Sequence, residues 1–166
     1  FRLARGGAQE YFGVTPDLAV FARGISNGVP LSTYLGRADV MDAVEKVVIS
    51  STFGGDTLGL AAASAVLDVY EQEDVIGTLW ARGKQLHQGV ASLCDQHGIE
   101  GGFAGLPPVG MLQMPTPEGR LQFEGECLLG GVITYSVCYP SYSHSPADID
   151  QALGVMDQAL AQVAAA

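Results

Sequence analysis

Two long helices predicted in the middle of the chain constrain the fold more than any other feature. The first begins near Asp56 or Thr57, both good N-cap residues, and runs to about Gln72. Its many alanines suit close packing against a sheet. The second extends over residues 74–97 and is closed by Gly98. Its apolar stripe comprises Ile76, Leu79, Leu86, Val90 and Leu93. We therefore expect helices that cover a β-sheet.

Short apolar runs on both sides of these helices predict the strands. The runs are rich in apolar and β-branched residues and are bounded by glycine or proline. The predicted strands are Leu18–Ala22, Thr33–Leu35, Val47–Ser50, Val109–Met114, Gly131–Tyr135 and Val137–Tyr139. The first of them is expected to be buried. Residues 98–110, which are rich in glycine and proline, are expected to form a connector.

Three further helices are predicted outside the central pair. Two are short and cover residues 3–12 and 38–44. The last is the best defined, because Ser145 is an N-cap, Pro146 takes the first helical position and Asp148 completes a capping-box pattern. Its apolar face comprises Ile149, Leu153, Met156, Leu160 and Val163. The order of elements predicts an α/β layer over residues 1–72, followed by a smaller α+β lobe over residues 73–166.

Composition and charge exclude several classes of function. The net charge of −10, with only eight Lys and Arg, argues against binding to nucleic acid or to an anionic membrane. Charges interrupt every apolar stretch before it reaches the length of a membrane span. Cys94, Cys127 and Cys138 are odd in number and widely spaced, which indicates reduced thiols in a cytoplasmic protein. The opening at Phe1, without a methionine, leads us to expect a fragment.

Metal-binding and hydrolase motifs are weak in this sequence. Cys94 and His97 lie three residues apart on one predicted helix, but no second pair joins them. His87 and His144 are isolated, and we expect solvated or core roles for all of these side chains. Tyr142 and His144 could line a pocket, but a strand end that runs into the Ser145 cap is the more ordinary interpretation. The sequence contains no dinucleotide, Walker or nucleophile-elbow motif.

The stretch LAVFARGISNGVPL, residues 18–31, is the first candidate site. An apolar run ends at Ala22, and a loop rich in glycine follows Arg23. A strand followed by a glycine-rich loop is where α/β enzymes place a catalytic group. The group placed here is an arginine.

The stretch SSTFGGDTLGL is the second candidate site. Ser51 and Thr52 precede two glycines and the start of a helix. Hydroxyls, free backbone N–H groups and the helix dipole together suit an anion such as phosphate. A capped helix start after a glycine turn explains the same residues, and from spacing alone it is the more ordinary interpretation.

Three segments in this order resemble the class III, pyridoxal-phosphate-dependent aminotransferases, particularly the branch that includes glutamate-1-semialdehyde aminomutase. They are FRLARGGAQEYFGVTPDLAVFARGISNGVPLSTYLGR, STFGGDTLGLAAASAVLDV and YSHSPADIDQAL. Residues 101–129 match less clearly. The resemblance implies the C-terminal part of a large domain of the aspartate aminotransferase-like fold over residues 1–72. A small α+β C-terminal domain would then occupy residues 73–166.

The same resemblance assigns roles to both candidate sites. Arg23 falls where the family holds its cofactor lysine, and a guanidinium is neither a nucleophile nor a base near neutral pH. Ser51 and Thr52 fall where the family binds the cofactor phosphate from the neighbouring subunit of a homodimer. Lys46 and Lys84, the remaining lysines, fall on predicted helices. The family's glycine-rich phosphate loop, stacking aromatic residue and ring-pairing aspartate have no match here.

Three hypotheses follow. The chain is a segment of an aminotransferase or aminomutase that moves an amino group between amino and keto compounds, with little activity alone. Alternatively, it is a non-catalytic relative in which Arg23 pairs with a phosphate or carboxylate of a ligand or partner chain. As a third possibility, the chain does not form a stable fold by itself, because half of its sheet is absent and exposed strand edges favour pairing with another chain. Neither the donor and acceptor nor the branch of the family follows from the sequence.

Overall fold

The structure is a computed structural model that describes residues 1–49 and 51–165. The chain divides into two compact units, Phe1–Ile76 and Gly77–Ala166. The assignment of residues 1–72 and 73–166 to the large and small domains of the family stays a prediction. In the part of the chain that the structure describes, no helix combines the length and apolarity that crossing a membrane requires.

The first unit joins a β-hairpin to one long helix. Its elements in chain order are α1 (Ala8–Phe12), β1 (Leu18–Ala22), a 3-10 turn (Arg23–Ile25), β2 (Ser32–Gly36), α2 (Ala38–Met41), a second 3-10 turn (Asp42–Lys46) and α3 (Thr57–Gln72). The two strands are antiparallel, with Leu18 opposite Gly36 and Ala22 opposite Ser32. The strands predicted at these positions are thus confirmed.

Local capping explains why α3 begins where it does. The Asp56 carboxylate accepts a hydrogen bond from the Gly59 backbone N–H at 3.0 Å, as an N-cap side chain does. Gly59 and Ala63 are the buried residues of this helix. A Cβ on Gly59 would lie 3.3 Å from Leu31 Cδ1, so the first turn of α3 packs directly on the chain just before β2. The predicted start and end of this helix are confirmed.

The second unit packs three helices on a small antiparallel sheet. Its elements are α4 (Val75–His97, which begins in the first unit), β3 (Gly102–Leu106), β4 (Val109–Gln113), α5 (Pro117–Leu129), β5 (Val137–Cys138) and α6 (Pro146–Ala164). The strand order is β3-β4-β5. One apolar core joins the elements, and its most deeply buried members are Val90, Cys94, Phe123, Cys127, Ala159 and Leu160. The predicted capping box at Ser145 and Asp148 is present.

Four predictions for the first unit need correction. Helix α1 starts at Ala8 and not at residue 3, because Gly7 has a φ of 80° and lies against Phe21. Strand β1 is not buried, since its side chains alternate between exposed and half-buried. The strand predicted over residues 47–50 is absent over 47–49, where the chain is irregular, and its last residue lies outside the described residues. The helix predicted over 38–44 is correct in place but tightens into a 3-10 turn at Asp42.

The middle of the second unit also differs from the prediction. The connector expected over residues 98–110 contains β3, whose glycines hide its strand character. Helix α5 was not predicted, although Thr116 caps it and Pro117 opens it. Residues 131–135 form no strand, because Gly131 takes a φ of 85° after α5 and the Val132 N–H folds back onto the Cys127 carbonyl at 2.8 Å.

Candidate functional site

Arg23 directly follows strand β1 and opens a tight turn. Its φ is 55°, a left-handed value that is uncommon for any residue other than glycine. The Arg23 carbonyl accepts hydrogen bonds from the backbone N–H groups of Ser26 and Asn27, both at 3.2 Å. The chain therefore bends sharply as soon as the strand ends, and it carries the arginine side chain at the bend. Such conformations cluster at functional sites.

Ser26 anchors this loop. It is 2% exposed, and its hydroxyl donates a hydrogen bond to the Val29 carbonyl. Asn27 and Gly28 both take positive φ values, 42° and 105°, so the turn reverses within a few residues. In the sequence, Ser26 stands out only as a residue that breaks regular structure. The run of serine, asparagine and glycine was the available signal, because these residues form turns through their own side chains and positive φ values.

The Arg23 side chain is exposed. Its guanidinium has no ion pair with a side chain of residues 1–49 or 51–165. A free guanidinium offers a planar, permanently charged donor that binds carboxylate or phosphate in a bidentate manner. It has no basic lone pair with which to attack a carbonyl carbon. The residue at this position therefore suits anion binding and does not suit covalent chemistry.

The turn formed by residues 23–28, which we call the Arg23 loop, lies near the C-terminal end of α3. A Cβ on Gly24 would lie 3.7 Å from Phe1 Cδ1, so the loop borders the Phe1 ring. That ring stacks on Tyr70, with centroids 4.5 Å apart and planes at 25°. The Tyr70 hydroxyl donates to the Phe1 carbonyl at 3.2 Å, and burial raises the pKa of this phenol. Tyr70 therefore stays a neutral hydrogen-bond donor and holds Phe1 in place beside the Arg23 loop. No pattern in the sequence pointed to it.

Ser51 and Thr52 lie at the other end of α3, and both are exposed. Two successive turns follow them: the Gly54 N–H bonds to the Ser51 carbonyl at 3.1 Å, and the Asp56 N–H bonds to the Phe53 carbonyl at 3.1 Å. The hydroxyls are thus available to an anion. The N-terminus of α3 is less available to an anion, because the Asp56 carboxylate already accepts a hydrogen bond from the Gly59 N–H and carries negative charge.

The two candidate sites are separated along α3. Leu31 contacts the helix at Gly59, whereas Phe1 contacts it at Tyr70. These positions are eleven residues apart, which at 1.5 Å per residue corresponds to about 16 Å. The Arg23 loop borders Phe1, and Ser51 and Thr52 precede the opposite end of the helix. Within one chain, the structure does not bring Arg23 together with the two hydroxyls.

Neither lysine belongs to the loop that begins at Arg23. Lys46 is exposed at the end of the second 3-10 turn, and Lys84 is exposed on α4 in the second unit. A cofactor that must be bound through an imine does not fit the residue at position 23. Among the residues that the structure describes, the hydroxyls of Ser51 and Thr52 are suitable partners for its phosphate. We therefore derive no chemical step through such a cofactor for this chain.

The histidines and cysteines serve the packing of the second unit. His97 Nε2 lies 2.7 Å from Asp157 Oδ1, and His87 stacks on Phe103 with centroids 5.0 Å apart. Cys94 is buried in the core. Burial, assisted by the neighbouring Cys138, raises the pKa of the Cys127 thiol to about 12. Among the residues that the structure describes, no group of His, Cys, Asp or Glu could hold a metal ion.

An apolar cavity of about 230 Å³ is present in the second unit. His144 lines it, as the sequence allowed, but Tyr142 does not. His144 Nδ1 accepts the Ser141 N–H at 3.2 Å, directly before the cap of α6. The histidine thus stabilises the turn directly before α6, which is the simpler of the two interpretations.

Comparison with known proteins finds aminotransferases and aminomutases. The 3-aminobutyryl-CoA aminotransferase of Cloacimonas acidaminovorans is 27% identical over 98% of this chain and 42% of its own length. The glutamate-1-semialdehyde 2,1-aminomutase of Neisseria meningitidis serogroup B is 33% identical over 93% of this chain and 41% of its own length. The chain thus spans about two fifths of the length of these relatives.

Solved structures agree in fold. The FumI protein of Sphingopyxis sp. MTA144, solved in its PLP internal aldimine form, superposes with a TM-score of 0.91 at 26% identity. The match covers 98% of this chain and 40% of that one. A transaminase solved with PLP bound also gives 0.91, at 15% identity, over 99% of this chain and 42% of that one. The predicted α/β fold of the PLP-dependent transferases is confirmed. The profile of the family described as Aminotransferase class-III matches residues 3–113, and the chain therefore belongs to the class III aminotransferase family.

Proposed function

We propose that this chain is a segment of a pyridoxal-phosphate-dependent enzyme that moves an amino group between amino and keto compounds. Within this activity, the segment does not carry out the covalent step, because Arg23 stands where the family has its lysine. The match of residues 3–113 to the class III aminotransferase family supports the activity. The absence of the covalent step is supported by the exposed guanidinium of Arg23, held at a φ of 55° at the end of β1 with no ion pair to a described side chain. The active form is a cytoplasmic homodimer.

The charge at position 23 decides what the loop does. An amine must lose its proton before it attacks an aldehyde, and a guanidinium keeps its proton up to a pH of about 12. Arg23 therefore orients an anionic group by bidentate hydrogen bonds and holds a fixed positive charge at the site. It neither accepts a proton from a substrate carbon nor forms a bond to the cofactor.

Ser51 and Thr52 bind the cofactor phosphate of the neighbouring subunit in this proposal. Their hydroxyls are exposed, and they lie at the end of α3 opposite the Arg23 loop of the same chain. A single ligand that uses both sites is therefore contacted by two chains. Two hydroxyl donors suit a phosphate. The Asp56 carboxylate at the start of α3 repels an anion, so the phosphate is bound by the hydroxyls and not by the N-terminus of the helix.

A second candidate function is non-catalytic binding of an anionic ligand or partner chain. The same free guanidinium favours it, because an exposed arginine in a strained loop is available to a carboxylate or phosphate. This candidate needs no amine anywhere in the chain. It differs from the first in predicting binding of simple anions in the absence of any aldehyde.

Absorbance and mass spectrometry separate these possibilities. We would mix the purified chain with equimolar pyridoxal phosphate, reduce with borohydride, and locate any adduct by peptide mass. We expect no stoichiometric adduct, and a fixed adduct on Lys46 or Lys84 would contradict the proposal. The matched controls are Lys46→Gln and Lys84→Gln, which remove each amine in turn while leaving Arg23 unchanged.

The variant Arg23→Lys tests how complete the site is. It restores a primary amine at the same backbone position and keeps the charge. We expect it to give no adduct in the isolated chain, because the family residues that stack and pair with the cofactor ring have no match here. A strong, reducible band in Arg23→Lys alone would mean that the segment already forms a sufficient pocket. For the second candidate, phosphate binding measured by calorimetry should be lost in Arg23→Gln and weakened in Arg23→Lys.

A further inference from the structure

Asn27 is the only asparagine of the chain, and a glycine follows it at position 28. Both residues are exposed and lie in the Arg23 loop. Asparagine is a chemically labile residue, because the backbone nitrogen of the next residue can attack its side-chain carbonyl carbon. A following glycine favours this attack, since it has no β-carbon to hinder its nitrogen and its backbone rotates easily. We therefore expect this dipeptide to be the most labile amide of the sequence.

The structure leaves the reacting groups of this dipeptide unoccupied. Within residues 1–49 and 51–165, neither the Asn27 side-chain amide nor the Gly28 backbone N–H has a hydrogen-bond partner. A Cβ on Gly28 would meet nothing within 4 Å, so no packed neighbour restrains the backbone at this point. Neither residue belongs to a helix or a strand. The attack therefore requires rotation within the loop and no opening of regular structure.

We propose that Asn27 is a site of spontaneous deamidation and that the acid formed there weakens anion binding at Arg23. The Gly28 nitrogen forms a bond to the side-chain carbonyl carbon of Asn27, and ammonia leaves with the proton that this nitrogen gives up. Water then opens the resulting cyclic imide at one of its two carbonyl carbons. Opening at the side-chain carbon gives aspartate. Opening at the backbone carbon gives isoaspartate, in which the chain continues through the side chain. The net change replaces an NH₂ group by OH and needs no oxidant or cofactor.

Either product places a carboxylate beside the arginine. The Asn27 backbone N–H donates to the Arg23 carbonyl at 3.2 Å, so the two side chains leave the backbone within one turn. The Arg23 guanidinium has no ion pair with a described side chain, and a carboxylate is a group that it binds in a bidentate manner. The new carboxylate therefore competes with phosphate for the guanidinium. This consequence rests on the anion-binding role proposed for Arg23, whereas the deamidation itself does not.

Isoaspartate also changes the shape of the loop. It inserts an additional atom into the backbone between Asn27 and Gly28. The Val29 N–H donates to the Ser26 carbonyl at 3.3 Å, and the Ser26 hydroxyl donates to the Val29 carbonyl. Both hydrogen bonds span the point of insertion, so the longer backbone strains them. The variant Asn27→Asp thus reproduces the charge of the products and not the altered backbone.

Mass spectrometry of the full 166-residue chain tests the modification. We would incubate the chain at mildly alkaline pH, native and in guanidinium chloride, locate the acid by peptide mapping and measure the ammonia released. We expect the native rate to lie within about tenfold of the denatured rate, because exposed loops open at almost no cost in free energy. Asn27→Gln, whose longer side chain closes the ring much more slowly, should keep its amide. A slower native rate, or acid formed at glutamines and not at position 27, would overturn the proposal.

Calorimetry with inorganic phosphate tests the effect on Arg23. We would compare the fresh chain, the deamidated chain, Asn27→Asp and Gln88→Glu, which adds the same charge at an exposed position of the second unit. We expect the affinity to fall about two- to fivefold in the deamidated chain and in Asn27→Asp, as an exposed ion pair implies. It should be unchanged in Gln88→Glu.

Three results would overturn the effect on anion binding: equal affinity of the fresh and deamidated chains, an equal loss in Gln88→Glu, or no phosphate binding by the fresh chain. The last result would also contradict the role proposed for Arg23. In that case the mass measurement still decides whether Asn27 is deamidated, so the two proposals fail separately.

Discussion

Gly83 lies in the middle of α4 at a point where only a hydrogen side chain fits. A Cβ at this position would lie 2.1 Å from the carbonyl oxygen and 2.3 Å from the carbonyl carbon of Pro107. Both atoms belong to the backbone of the turn between β3 and β4, so no rotation of a side chain relieves the contact. The helix or the turn must move, and the packing of the small sheet on α4 moves with it.

The change in the free energy of unfolding expected for Gly83→Ala follows from two opposing effects. Alanine is favoured over glycine in a helix by about 1 kcal/mol, which alone would stabilise Gly83→Ala. Overpacking costs about 1–3 kcal/mol or more, and a contact with backbone atoms belongs at the upper end of that range. We therefore expect the free energy of unfolding to fall by about 2 kcal/mol. For a unit of this size that lowers the melting temperature by about 10 °C.

Trp80 provides the assay, because it is the only tryptophan and lies one turn from Gly83 on the same helix. Its fluorescence in a urea titration reports the unfolding of α4. The matched control is Gly154→Ala in α6, where a Cβ would meet nothing within 4 Å and the variant should gain about 1 kcal/mol. If Gly83→Ala proved as stable as the parent while Gly154→Ala gained stability, the close approach of Pro107 would be refuted.

Three further predictions concern titratable groups. Because the pKa of Cys127 is about 12, iodoacetamide at mildly alkaline pH should label this thiol only as fast as the protein unfolds, and rapid labelling of the native chain would contradict its burial. The Ser145 backbone N–H, and then its hydroxyl, hold the pKa of Asp148 below 3.8, so the stability it contributes is lost as the pH falls through that lowered value. Asp148→Asn should flatten the acid limb of a urea-stability profile, and an unchanged limb would count against the cap. Burial lowers the pKa of His87 below 6.5, so the free energy of unfolding should decrease as the pH falls below 6.5 and level off once the folded state also binds the proton. His87→Gln should show a smaller decrease over the same range, and an NMR titration midpoint at or above 6.5 would contradict the prediction.

The elements with local signals were predictable from sequence. Helix α6 follows from Ser145, Pro146 and Asp148, because capping groups act within one turn and need no tertiary context. Strand β3 was missed, because its glycines indicate a loop. Gly102 and Gly105 take positive φ values, and the segment is a strand only through its pairing with β4. Residues 131–135 resemble a strand in composition, but the end of α5 decides their path.

The loop after β1 was predictable in position and not in shape. The apolar run and the glycines predict a loop directly after Ala22, which the structure confirms, whereas its function stays a prediction that rests on the family resemblance. The left-handed φ of Arg23 and the burial of Ser26 depend on how the loop packs, which no local pattern encodes. The separation of Ser51 from Arg23 along α3 likewise required the structure.

The left-handed backbone of Arg23 sets stability against charge at this position. A residue with a β-carbon costs about 1–2 kcal/mol in this conformation, and glycine removes most of that cost. The cost is the same for lysine and arginine, so exchanging one for the other leaves the loop geometry untouched. Glycine would relax the bend but would also remove the positive charge. Among the parent chain, Arg23→Lys and Arg23→Gly, we therefore expect Arg23→Gly to be the most stable and to bind anions most weakly.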